Sequence, residues 1–125
     1  MVLRVVIAED DAGLRQLLTQ ILRGRMGAEV LGAVDGEHAL QLLSEVRPDL
    51  VLLDLDMPRV NGLEVARRLR SDPSTTDLPI LAVSGWAASE AALAAGCDAF
   101  LGKPFRAETL VRRVRALVEP PGERP

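Results

Sequence analysis

A chain of 125 residues, 48% of them hydrophobic, is long enough for one domain that buries roughly two thirds of the surface its unfolded form exposes, so it needs neither a disulfide framework nor a metal staple. Its single cysteine, Cys97, excludes an intramolecular disulfide and suits a reducing cytosol, while a net charge of −3 with two Phe and one Trp offers neither the basic footprint nor the stacking platforms of a nucleic-acid binder. No apolar run approaches membrane-spanning length and the N-terminus turns acidic by Glu9, so the expectation is a cytoplasmic protein that contacts no membrane and, by this chain itself, no nucleic acid.

Residues 3–8 form a short apolar run that ends in Glu9-Asp10-Asp11, a strand with acids at its carboxyl end. Leu14, Leu17, Leu18, Ile21 and Leu22 then recur at helical spacing, with Asp11 as N-cap and Gly24 or Gly27 near the stop. Residues 28–34 read as a second strand, Asp35-Gly36 as a turn, and Ala39, Leu42, Leu43 and Val46 as a helix that Pro48 ends. His38, the only histidine, has no second His or Cys to complete a ligand set and reads as an ordinary surface residue.

The central stretch is Val51-Leu52-Leu53-Asp54-Leu55-Asp56-Met57-Pro58. An apolar run that breaks off in two carboxylates and a proline predicts a strand buried on both faces of a parallel sheet, with Asp54 at its open end. Asn61, with Glu64 three residues on in a capping-box-like arrangement, predicts a helix whose inner face is Val65, Ala66 and Leu69, closed by Asp72-Pro73. Residues 79–83 are a fourth strand leading to Ser84-Gly85-Trp86. An alanine-rich helix follows to about Ala95, stopped by Gly96, and residues 98–101 make a short fifth strand running into Gly102-Lys103-Pro104. A last helix begins near Arg106, with Leu110, Val114, Leu117 and Val118 inward and Arg112, Arg113 and Arg115 on a solvated face. Pro120-Pro121-Gly122 then divides a domain of residues 1–119 from a tail or start of linker, 120–125.

Five strands alternating with five helices predict an α/β fold, a doubly wound parallel sheet with right-handed crossovers. Parallel strands present all their carboxyl ends on one edge, which would gather Glu9, Asp10, Asp54, Asp56, Ser84 and Lys103. Clustered carboxylates repel unless a cation offsets them, and an all-oxygen set favours Mg²⁺ over zinc or copper. Lys103 is the only lysine beside fourteen arginines, and a compact ammonium there would balance a phosphoryl group to which Ser84 can donate a hydrogen bond. There is no phosphate-binding loop of the GxxxxGK[ST] type, so Asp54 is the candidate nucleophile and an aspartyl-phosphate the product.

On these residues the chain resembles a bacterial two-component response-regulator receiver domain. The carriers are Glu9-Asp10, the Asp54 to Pro58 stretch with Gly62 following, Ser84-Gly85 and Lys103-Pro104-Phe105, and the likeness spans about Leu3 to Val118. It implies a flavodoxin-like five-stranded sheet and a phosphorylation-dependent signalling module that catalyses only its own phosphorylation and dephosphorylation. Asp54 would be the phosphoacceptor. Asp10 would ligate Mg²⁺ with Asp54 and the backbone carbonyl of Asp56, and Glu9 would act mainly through water. Lys103 would pair with the phosphoryl oxygens and Ser84 would close on them, with Phe100 turning inward as the coupled aromatic switch. Asp56 and Trp86 fall at positions that modulate the phosphoryl lifetime. Partners implied are a sensor histidine kinase or phosphotransfer protein, with a homodimer or a downstream output partner beyond it.

One departure is the spacing from Ser84 to Lys103, nineteen residues. It is about three short of the family's habit, or roughly one helical turn. Two alternatives are weaker. A pseudo-receiver, serving as a constitutive interaction module, would have lost Asp54 or Lys103, and both are present. A haloacid-dehalogenase-type phosphatase would also use Asp54-x-Asp56, but early in its chain and with a paired acid site after the lysine, which is missing here.

Overall fold

The computed structural model describes residues 2–119; the expected tail at 120–125 lies outside them. Five strands, β1 (Arg4–Ala8), β2 (Glu29–Ala33), β3 (Leu50–Asp54), β4 (Ile80–Ser84) and β5 (Ala99–Gly102), alternate with α1 (Ala12–Met26), α2 (Gly36–Glu45), α3 (Gly62–Ser71), α4 (Ser89–Ala94) and α5 (Ala107–Val118). All strand pairs are parallel, in the order β2-β1-β3-β4-β5. This is the expected doubly wound, flavodoxin-like sheet.

Strand alternation builds two cores from one sheet. Val6, Ala8, Val51, Leu53, Ile80 and Ala82 pack on one face against α2, α3 and α4 through Leu43, Val65, Leu69 and Ala92. Val5, Ile7, Leu50, Leu52, Leu81 and Val83 pack on the other against α1 and α5 through Leu18, Leu22, Leu110 and Val114. Burial on both faces explains why β3 and β4 are unbroken apolar runs. The strand order reverses between β1 and β3, and at such a switch point the crossovers leave to opposite faces, opening a crevice beyond the strand ends.

Most helix boundaries follow their caps. Asp11 accepts a hydrogen bond from the Gly13 amide, and Asn61 accepts one from the Glu64 amide at 3.0 Å. Gly27, in the left-handed region at φ 61°, ends α1, whereas Gly24 lies within it. Asp35 is not a turn residue but the N-cap of α2, accepting from the His38 amide at 2.7 Å. His38 is likewise more than a surface residue: half-buried, its Nδ1 accepts the Val34 amide at 3.1 Å. Glu64 does not complete a capping box, because its carboxylate turns to Arg68 one helical turn later, at 3.0 Å.

Other expectations also shift, among them the fifth strand, which runs Ala99–Gly102 rather than 98–101. The fourth strand starts at Ile80 rather than Pro79, which has no amide for the ladder, and extends to include Ser84. The alanine-rich segment divides into a 3₁₀ turn, Trp86–Ala88, and a six-residue α4. Arg113 is half-buried rather than solvated, and its Nε donates to the Phe100 carbonyl at 3.4 Å because β5 is an edge strand with carbonyls to satisfy. Cys97 is buried, and that burial pushes its thiol up to about 11, so it packs as a small hydrophobe. Among the described residues no helix is long and apolar enough to cross a membrane.

Candidate functional site

The carboxyl ends of β1, β3, β4 and β5 meet in the crevice at the switch point. The ladder sets their depth: Ala8 pairs with Leu53, Asp54 with Val83, and Ser84 with Gly102. Glu9 therefore follows β1 beside the end of β3, Asp54 and Ser84 close their own strands, and Lys103 follows β5 one residue beyond Ser84's partner. Asp54 and Ser84 are 4% and 1% exposed, and Glu9 is equally buried. Asp10 and Asp56 stay exposed.

Local bonds fix each of these segments. The Glu9 amide donates to the Ala33 carbonyl at 3.0 Å, Arg15 Nη1 donates to the Glu9 carbonyl at 2.7 Å, and the Asp11 amide donates to Glu9 Oε2 at 3.1 Å. Glu9 is thus held on three sides. Beyond β3, the Asp56 amide donates to Asp54 Oδ1 at 3.1 Å and the Gly62 amide to the Leu55 carbonyl at 3.2 Å. A Cβ at Gly62 would strike the Asp54 carbonyl, so only glycine lets α3 begin this close to the acid. The loop between them contains Arg59 at φ 63°, a left-handed position that its sequence does not announce. After β5, the Lys103 amide donates to the Ser84 carbonyl at 2.8 Å, and the Lys103–Pro104 peptide is cis.

The resulting electrostatics are unbalanced. Carboxylate oxygens of Glu9, Asp10 and Asp54 lie within 4.8 Å of one another. Lys103 Nζ faces two of them, at 3.5 Å from Asp54 Oδ1 and 3.6 Å from Glu9 Oε1. One ammonium against three acids leaves negative charge in a crevice with buried walls. Burial first, and then a hydrogen bond with Asp54, push the Glu9 carboxyl up to about 8, against the opposing pull of the Asp11 amide and Lys103. Glu9 Oε1 is buried with no hydrogen-bond donor among the described residues, and it meets Lys103 only in the longer ion pair at 3.6 Å. An orphaned carboxylate oxygen beside two more hard oxygen donors, with no nitrogen or sulfur ligand, fits a divalent cation of the Mg²⁺ kind.

Ser84 and Phe100 bring two findings. Ser84 Oγ donates to Asp56 Oδ2 at 2.8 Å, a contact between residues 28 apart that no sequence pattern signals. Phe100 is buried beneath Trp86, their ring centroids 5.7 Å apart at 53°. Trp86 itself is 63% exposed, and its indole lies where a Cβ on Gly102 would be, so the absent side chain makes room for it. All eight expected site residues therefore belong to one edge of the sheet or its immediate rim. A groove of about 860 Å³ opens at the opposite edge, among Leu40, Pro48, Asp72 and Pro79, and contains none of them.

Comparison with known proteins agrees with this fold. The response regulator receiver domain model matches residues 5–115. Over 113 residues the chain is 41% identical to the DNA-binding response regulator MtrA of Mycolicibacterium paratuberculosis, covering 90% of this chain and 50% of that protein. The chain spans about half the length of the curated relatives it matches. Among solved structures, the chemotaxis response regulator CheY4 of Vibrio cholerae superposes with a TM-score of 0.88 at 28% identity, covering 94% of this chain and 99% of that one. The receiver domain of the sensor histidine kinase PA1611 from Pseudomonas aeruginosa PAO1 gives 0.89 at 25% identity, covering 96% and 100%, and that structure has a magnesium ion coordinated in its active site cleft. A family match running through nearly the whole sheet and the four strand ends that carry Glu9, Asp54, Ser84 and Lys103 admits one assignment: the chain belongs to the response regulator receiver domains, the phosphorylation-signalling modules of two-component systems.

Proposed function

We propose that Asp54 accepts a phosphoryl group from a sensor histidine kinase or a phosphotransfer protein and that the chain then switches conformation toward a homodimer or a downstream output partner. The observation that carries this reading is Asp54 itself, a buried carboxylate at the end of β3, 3.5 Å from the only lysine and within the acid trio. Asp10, Asp54 and the backbone carbonyl of Asp56 would hold Mg²⁺, with Glu9 acting mainly through water. Bound there, the metal would supply positive charge to offset that of the phosphoryl oxygens during transfer.

The chain's own residues do the rest. An Asp54 carboxylate oxygen attacks phosphorus, forming the O–P bond as the donor's P–N bond breaks and its electron pair returns to the imidazole nitrogen. Lys103 carries three N–H donors, so it can hold a phosphoryl oxygen without abandoning the acids. Ser84 supplies the remaining hydroxyl donor, and Phe100 and Trp86 lie where a change at Ser84 would be felt. On this reading the only reactions are the chain's own phosphorylation and dephosphorylation. MtrA is a DNA-binding protein, but a net charge of −3 gives these residues no footprint for nucleic acid, and we assign them none. A cytoplasmic setting accords with the acceptor chemistry and the single reduced cysteine.

Incubation with acetyl phosphate and Mg²⁺ should raise the intact mass by one phosphoryl group, and omission of Mg²⁺ should abolish the gain. Asp54→Asn should show no gain. Equal uptake by that variant would mean that another residue is the acceptor.

A further inference from the structure

We propose that the Asp56 carboxylate holds the Ser84 hydroxyl in the resting state and competes for it with the phosphoryl group, so that Asp56 sets how readily the phosphorylated form closes. This rests on Asp54 being the phosphoacceptor and adds a control of that same site. The basis is the 2.8 Å bond from Ser84 Oγ to Asp56 Oδ2, set against the donor count of the site. A serine hydroxyl has one proton to donate. A carboxylate and a phosphoryl oxygen are both acceptors, so Ser84 can serve one of them at a time. Lys103, with three donors, faces no such choice.

The surroundings make the competition unavoidable. Ser84 is 1% exposed, so water offers its hydroxyl no easy substitute partner. Its carbonyl is fixed by the Lys103 amide at 2.8 Å, which leaves side-chain rotation or displacement of the following loop as the routes to Asp54. Asp56 is tied to the acceptor as well, because its amide donates to Asp54 Oδ1 at 3.1 Å. The residue whose backbone touches the acceptor is therefore the one whose side chain withholds the hydroxyl. Asp56 is a positioning residue in this scheme: its side chain acts through Ser84 and touches no reacting atom.

The test is a double-mutant cycle on the full chain, comparing wild type, Asp56→Ala, Ser84→Ala and the double variant. Affinity for beryllofluoride, which stands in for the phosphoryl group on Asp54, is measured at saturating Mg²⁺. With Ser84 present, Asp56→Ala should tighten binding by about three- to tenfold, the scale of the net contribution of one ordinary hydrogen bond. In the Ser84→Ala background the same change should give only the smaller gain from removing a nearby negative charge. Equal gains in both backgrounds would overturn the proposal while leaving the phosphoacceptor reading intact, because charge alone would then account for the effect. Weaker binding on Asp56→Ala only when Ser84 is present would also overturn it, since Asp56 would then be presenting the hydroxyl rather than withholding it. If wild type binds no beryllofluoride and gains no phosphoryl mass from acetyl phosphate, the acceptor reading fails and this proposal with it.

Discussion

Lys103 shows how much a single side chain is asked to do at this edge. Its ammonium sits 3.5 and 3.6 Å from two buried acids, a spacing suited to a compact charge rather than a planar fork. Lys103→Arg keeps the charge, and because the side chain is 33% exposed the melting temperature should barely move. The rate of phosphorylation by acetyl phosphate should nevertheless fall by about tenfold or more, or ~1.4 kcal/mol. A rate equal to wild type would show that the site needs only a positive charge of any shape. The importance of Lys103 was legible in the sequence because one lysine stood against fourteen arginines at a strand end. The Ser84–Asp56 bond was not, because it depends on the loop after β3 curling back through Arg59 and Gly62, and loop paths of this kind leave no periodic signal.

At the scale of elements, the segment from β4 to β5 departs furthest from expectation. Alanine is the strongest helix former, so Ala87-Ala88 and the alanines after Glu90 read as one helix. The 3₁₀ turn intervenes instead, and the indole of Trp86 rests over Gly102 beside Phe100. That anchorage joins residues 16 apart, and tertiary packing of this sort overrides propensity. The short α4 does agree with the reduced spacing between Ser84 and Lys103. Because Trp86 follows Ser84 by two residues, a displacement of Ser84 toward Asp54 must carry the indole along Gly102. Trp86 is the only tryptophan, so its emission should shift in intensity or wavelength on addition of beryllofluoride with Mg²⁺, and Asp54→Asn should abolish the shift. An unchanged spectrum with the mimic bound, as seen by NMR, would mean that Trp86 merely covers apolar surface.

For the whole molecule, alternation of apolar runs with helical spacing was enough to specify the sheet, and parallel strands then forced Glu9, Asp54, Ser84 and Lys103 to one edge. What holds the opposite edge together was hidden. Arg70, one of three arginines in α3, donates to the carbonyls of Gly96 and Leu78 at 2.8 Å and to that of Thr76 at 3.1 Å, and pairs with Asp98 at 2.7 Å. Asp98 Oδ2 in turn accepts the Ile80 amide at 2.8 Å. Nothing distinguishes Arg70 from Arg67 or Arg68 until the loops are folded around it. Arg70→Ala should therefore cost about 2–3 kcal/mol in urea unfolding, because it strands several half-buried carbonyls and a carboxylate. A loss below about 0.5 kcal/mol, the range of ordinary surface changes, would mean that water replaces it fully.

The most direct measurement of the central claim is to locate the phosphoryl group. After reaction with acetyl phosphate and Mg²⁺, borohydride reduction of an aspartyl-phosphate leaves homoserine at the modified position, which peptide mass spectrometry can read. The account predicts homoserine at position 54 alone, dependent on Mg²⁺. Homoserine at position 10 or 56 instead, or at none, would contradict it.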